Sequence, residues 1–480
     1  MANLWVKKSL ESLLAQAADS EKGLKRTLGA VNLVALGIGA IIGAGLFVRT
    51  AAASAEAAGP AVTLSFIVAA VGCAFAGLCY AEFAAMIPIA GSAYTYAYAT
   101  MGEFVAWIIG WALILEYALG AVTVSIAWSE YLNKLLGGAI PYQWCHSPME
   151  ASANGVSGIM NLPAILILFL LTMLLIKGTQ ESASVNAVIV FIKVAIVLIF
   201  IAVGFQFINP ANHTPYMIPE GFDGHTAWNK WGYGGVLGGA AIVFFAFIGF
   251  DAVSTAAQEA KNPARDMPIG ILGSLAVCTV LYILFAHVLT GVANWTEFKL
   301  AGKEASVAYA ITNHMPGYGW LATAVTVAIL AGFSSVILVM LLGQSRVFYS
   351  MANDGLIPKV FSELHPKFRT PYKSNWILFG FSGVLAAFVP GSLAGDLTSF
   401  GTLLAFVLVS LGIWLLRRSD PDQPRPFKAP LVPLVPILGA VICLAMITAL
   451  DKYTLLTALA WMGLGMFVYF GYSQKNSKLQ

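Results

Sequence analysis

The sequence predicts an all-α polytopic membrane protein of about 12 transmembrane helices, and three observations carry that prediction. Of 480 residues, 59% are apolar and only 10% are charged, against roughly 25% charged in soluble domains. The apolar residues fall in runs of about 18 or more, the length that crosses ~30 Å of hydrocarbon. Two of those runs carry clustered glycines that interrupt them. The net charge of +3 and the lack of a basic aromatic patch argue against nucleic-acid binding. Four of the five cysteines lie in apolar runs and only Cys145 lies in a loop, so neither a disulfide framework nor a zinc spacing is present. There is no His-Glu-x-x-His, no Gly-x-Ser-x-Gly and no carboxylate pair on one helix face. No enzyme activity and no cofactor are expected. A channel would show a repeated filter or rings of like charge, and neither is seen.

Residues 1–28 form a cytoplasmic tail. Trp5, Leu10, Leu13, Leu14 and Ala17 recur at helical spacing beside Lys7 and Lys8. They make either a short amphipathic helix on the membrane surface or a frayed tail. Twelve spans come next, at about 30–57, 60–88, 102–135, 161–177, 182–207, 233–258, 268–293, 318–348, 374–390, 396–416, 431–449 and 453–472. Pro60, Pro88, Pro163, Pro268 and Pro390 sit near span ends, where a helix tolerates them. With the N-terminus inside, 19 of the 26 Lys and Arg fall in inner segments and six outside, Arg49 among the latter. Lys193 is alone within a span. The bias fits both termini in the cytoplasm.

Span 1 carries Gly37, Gly39, Gly43 and Gly45; span 6 carries Gly232, Gly234, Gly235, Gly238, Gly239 and then Phe247-Ile248-Gly249-Phe250-Asp251. One reading is close helix packing, for which Gly39 and Gly43 have the spacing. The other is a break. Freed backbone is tolerated at membrane depth only against protein or a wet cavity, and breaks in two corresponding spans mark an inverted-repeat transporter. The implied units are 29–207 and 208–416, each of five spans, with two appended helices in 417–480. Such breaks suit a zwitterion. The amides of Gly43, Ala44 and Gly45 would take a carboxylate, and the carbonyls of Ile41, Phe247 and Ile248 an ammonium. Phe250 lies beside them.

Several stretches resemble the amino acid–polyamine–organocation superfamily, and within it bacterial members of the cationic amino acid transporter family. They are Gly39-Ala-Ile-Ile-Gly43-Ala-Gly45-Leu-Phe47, Tyr80-Ala-Glu82-Phe, Pro88-Ile-Ala-Gly91-Ser92-Ala-Tyr94, Gly110-Trp111-Ala-Leu-Ile-Leu-Glu116-Tyr, Phe247-Ile-Gly249-Phe250-Asp251, the segment from Glu259 to Pro268, and the run from Arg346 to Gly355. Order and spacing agree over about residues 30–420. The resemblance implies a five-plus-five inverted repeat with helices 1 and 6 broken around the substrate. It implies a secondary active transporter of L-amino acids in the plasma membrane. The chain departs from eukaryotic cationic members, which usually carry 14 spans, so preference for cationic over small neutral substrates cannot be assumed. A receptor that binds without transport, a sodium-coupled carrier and an exchanger stay open.

Ionisable groups deep in spans mark function, because each costs roughly 3 kcal/mol or more unless solvated or paired. Lys193 lies about ten residues into span 5, where sodium-coupled relatives of this fold hold an ion between helices 1 and 5. It is either a proton-coupling group, a fixed structural cation or a snorkelling side chain. Glu116, mid-span 3, either meets a cationic substrate or pairs structurally. Asp251 either caps the amides of the half-helix after the break or touches substrate or proton. Glu82 is a gating or loop-pairing residue. His287 reads as a satisfied core histidine. Expected partners are thus an L-amino acid, protons and the lipid bilayer.

Overall fold

Runs of Leu, Ile, Val and Ala leave no water to satisfy backbone groups, so each run closes its own hydrogen bonds as a helix. The computed structural model describes residues 4–9, 11, 13, 28–89, 91–152, 155–177, 182–257, 260–299, 306–368 and 370–479. Span 1 is Ala30–Ile41 plus a second half from Gly45 through Thr50–Ala53 to Ala58. Span 2 is Val62–Met86. Span 3 runs Glu103–Ile114, a wide π turn Leu115–Leu119, and Gly120–Leu135. Spans 4 and 5 are Leu162–Lys177 and Ser182–Gly204. Span 6 is Gly232–Val243, a tight turn Phe244–Phe247, and Ala252–Thr255. Spans 7 to 12 are Pro263–Val292, Gly319–Asn353, Tyr372–Phe388, Gly391–Ser419, Leu434–Thr448 and Lys452–Val468. Among the described residues, eight stretches are long and apolar enough to cross a membrane, Gly45–Met86 counting as one because it joins the second half of span 1 to span 2. Two short helices, Ser92–Thr100 and Ser306–His314, add to the expected elements.

Span 1 packs on 6, 2 on 7, 3 on 8 and 4 on 9. These contacts join the two expected five-span units, while span 5 packs on spans 1, 7 and 8. Spans 3 and 6 lie at the centre, with 83% and 89% of their most apolar stretches buried, whereas spans 5 and 12 present most of theirs outward, at 28% and 22%. Missing side chains set the closest approaches. A Cβ on Gly37 would stand 2.4 Å from Ser274 Oγ of span 7.

Two expectations need correction. The N-terminal tail is not helical at Trp5 to Lys8. Residues 6–9 form no helix and lie against the short helix Ser92–Thr100 and the start of span 3, with Lys8 N bonded to Tyr98 O at 3.2 Å, Glu103 N to Val6 O at 2.9 Å and Phe104 N to Leu4 O at 3.1 Å. The first-turn amides of span 3 need acceptors, and Gly102, at φ 95°, admits the Trp5 backbone where a Cβ would stand 2.8 Å away. Further on, Glu11 and Leu13 are helical, Leu13 N bonding to Ser9 O at 3.2 Å with its side chain buried, so the expected helix holds at those positions; Leu10, Leu14 and Ala17 lie outside the described residues. Arg49, counted among outer cations, is instead 4% exposed within span 1 and paired with Asp396 of span 10. A buried guanidinium is held there because a carboxylate meets it.

Candidate functional site

The first half of span 1 ends as Ile42 turns extended, its N–H closing on Ile38 O at 2.9 Å. The next closed bonds run from Leu46 N and Phe47 N to Gly43 O, at 3.1 and 3.3 Å. The amides of Gly43, Ala44 and Gly45 therefore head a half-helix before its first turn closes. In span 6, Ile248 leaves the helical region at ψ 134° and Gly249 takes φ 114°, a conformation that side chains disfavour. The two breaks cross. A Cβ on Gly45 would lie 2.2 Å from Ala246 Cα, and one on Gly249 would lie 3.0 Å from the Ala40 backbone. The Tyr282 hydroxyl of span 7 stands 2.9 Å from both Ile41 O and Ala246 O, sharing its proton between the frayed ends.

Lys193 Nζ donates to Gly39 O at 2.8 Å, with the side chain 1% exposed. The lysine stem lies where span 8 has no side chain: a Cβ on Gly332 would meet Lys193 Cε at 2.7 Å. Asp251 Oδ2 accepts from Tyr117 OH at 2.9 Å and Oδ1 from Gly249 N at 3.2 Å. The carboxylate thus caps the amide before it, in the break, and not those of the succeeding half-helix, whose cap position shows no side-chain bond. Glu116 is fully buried in the π turn of span 3, a feature that often marks functional sites. It lies beside Asp251 and Thr402.

Ile41, Gly43, Ala44, Gly45, Phe247, Ile248 and Phe250 are brought together at the crossing and are all buried. Phe250 rests against Tyr80 and Phe406, with ring centroids at 5.8 and 4.9 Å. Phe247 rests against Phe66 and Tyr282 at 6.1 and 5.4 Å. Glu82 is elsewhere. Its carboxylate takes Arg417 at 3.0 and 2.6 Å and the Ala429 amide at 2.7 Å, fastening the linker between spans 10 and 11. Towards one end, Arg49 and Asp396 join spans 1 and 10. Towards the other, Lys8 pairs with Asp354 at the end of span 8. Sequence reasoning missed Tyr282, Tyr117, Gly332 and the Arg49–Asp396 pair. A tyrosine hydroxyl in mid-span needs a partner, which is a readable signal for the first two. Gly332 carries none.

Residues 28–470 match the model of the amino acid permease family. The chain is 45% identical to the branched-chain amino acid permease of Bacillus subtilis (strain 168), covering 98% of each chain. It is 41% identical to the methylthioribose transporter of the same organism over the full length of both. It is 34% identical to the vacuolar cationic amino acid transporter 4 of Arabidopsis thaliana, over 88% of this chain and 68% of that one.

Proposed function

This chain belongs to the amino acid permease family, and from that premise we propose that it is a proton-coupled secondary transporter of L-amino acids that works by alternating access. The observation that carries the reading is the ammonium of Lys193 on the carbonyl of Gly39, one turn before the break in span 1. A substrate carboxylate would bind the amides heading the second half of span 1, and its ammonium would bind the carbonyls of Phe247 and Ile248. Ile41 O, already facing Tyr282, has a second lone pair for the same ammonium. Protonated Lys193 holds span 5 against span 1 and favours the binding form; losing the proton releases that contact and permits return. Sodium is excluded, because two cations ~4 Å apart repel by about 4 kcal/mol at an effective dielectric of 20.

Branched-chain and other neutral amino acids are the first substrates to test. The relative at 45% identity is named for branched chains, and a Cβ on Gly43 would face Val336, an apolar neighbour. Arginine and lysine come next, because a buried carboxylate, Glu116, lies beside Asp251 of the span 6 break. The test is tracer counterflow in liposomes with the purified chain. Labelled leucine, alanine or arginine should exchange, uptake should rise as outside pH falls, and sodium should make no difference. Binding without exchange would make the protein a receptor, sodium dependence would overturn proton coupling, and exchange of methylthioribose alone would overturn the amino-acid assignment.

A further inference from the structure

The end of the bundle that carries both termini holds a groove of about 610 Å³ between the N-terminal segment, span 3 and the end of span 10. Met101, Val105 and Leu415 make its apolar wall, and Leu415 is 43% exposed. Trp5, 61% exposed, stands at its rim. Lys7 and Arg418 flank it, both exposed. Arg418 is fixed in place by stacking over Trp414 at 5.3 Å.

The charge at this end is unevenly used. Lys8 is paired with Asp354, and Arg417 and Arg425 with Glu82. Among the described residues, no carboxylate pairs with Lys7 or Arg418 and none lines the groove. Asp420 lines the neighbouring 290 Å³ cavity, where Lys7 and Lys8 also face it. Two cations without a carboxylate partner over an apolar wall, at the end of a membrane-spanning bundle and beside an exposed indole, match an anionic lipid in each of its parts. A free phosphate would use the cations and leave the wall without purpose.

We propose that this groove binds one anionic diacyl phospholipid, its phosphate between Lys7 and Arg418 and an acyl chain along Met101, Val105 and Leu415. The bound lipid pins the N-terminal segment to span 3. The inference rests on the chain spanning a membrane but not on its substrate or coupling.

Native mass spectrometry of the full chain in detergent, titrated with phosphatidylglycerol or phosphatidylcholine, tests it. The wild type should retain one phosphatidylglycerol in preference to phosphatidylcholine. Each cation contributes about fivefold in affinity, from about 1 kcal/mol per charge. The Lys7→Gln, Arg418→Gln double variant should therefore bind phosphatidylglycerol about 25-fold more weakly. Both positions are exposed, and an unchanged melting temperature without lipid checks that the variant folds. Val105→Trp, which fills the wall, should weaken binding with both charges intact. Undiminished binding by the double variant, no preference in the wild type, or displacement by millimolar inorganic phosphate would each overturn the proposal. Counterflow measured on the same samples reads the transport assignment separately.

Discussion

Single side chains at this site act through what they keep apart as much as through what they bind. Lys193 reaches Gly39 O only because Gly332 has no side chain. Lys193→Ala should lose accumulation driven by a pH gradient while still exchanging substrate. A variant that concentrates substrate under a pH gradient would remove Lys193 from the coupling. Gly43 and Gly45 separate two roles that the sequence leaves joined. A Cβ at 43 meets only the Val336 side chain, at 3.0 Å. Gly43→Val should therefore insert and fold but lose substrate binding. At 45 it meets the Ala246 backbone, so the helices must part. Gly45→Ala should lower stability by about 1–3 kcal/mol, the range for overpacking. Thermal unfolding in detergent beside a binding assay distinguishes them: stability should fall for Gly45→Ala alone.

At the scale of elements, buried or half-buried ion pairs fix how loops leave the helices. Glu82 joins span 2 to Arg417 and to the linker before span 11. Removing one partner of a buried pair strands the other. Glu82→Gln should cost about 3 kcal/mol by that principle, read as faster hydrogen exchange at 420–433, and unchanged exchange there would refute the fastening role. In the loop after span 3, His146 Nε2 lies 2.7 Å from Glu130. Burial opposes the imidazolium, but the Glu130 hydrogen bond and charge outweigh it, and the His146 pKa stands above its ordinary value. A raised folded-state value gives stabilisation that is complete below the unfolded value, about 6.5, and is lost as pH rises through the folded one. Exchange at 136–152 should quicken as pH rises past neutrality, beyond the intrinsic rate, and His146→Ala should abolish that excess.

For the whole molecule, the two termini share one end. The Lys8 side chain meets Asp354, and Lys478 N bonds to Asp354 O at 3.1 Å. That end also carries most of the cations, so the positive-inside rule predicts that it faces the cytoplasm. All five native cysteines are buried, so an introduced thiol reports with little background. Leu479→Cys should react with an impermeant maleimide only after the cells are opened, and Leu136→Cys in intact cells. The reverse pattern would invert the orientation.

The twelve spans, the breaks in spans 1 and 6, and the lone charge of Lys193 were legible because each is a local violation or a local rule. Hydrocarbon demands long apolar runs, glycine weakens a helix wherever it stands, and a charge in such a run is conspicuous by itself. The rest depended on neighbours distant in sequence. Arg49 reads as an outer cation until Asp396, 347 residues later, meets it. Asp251 reads as a cap for the next half-helix until the backbone turns at Gly249 and offers it the amide before. Trp5 to Lys8 read as part of a surface helix until span 3 presents unsatisfied amides and Gly102 makes room. Composition and periodicity determine which segments enter a membrane, because that is a contest between each segment and solvent. Which polar atom meets which is decided only when the helices cross, because a hydrogen bond at about 3 Å depends on packing that no single segment encodes.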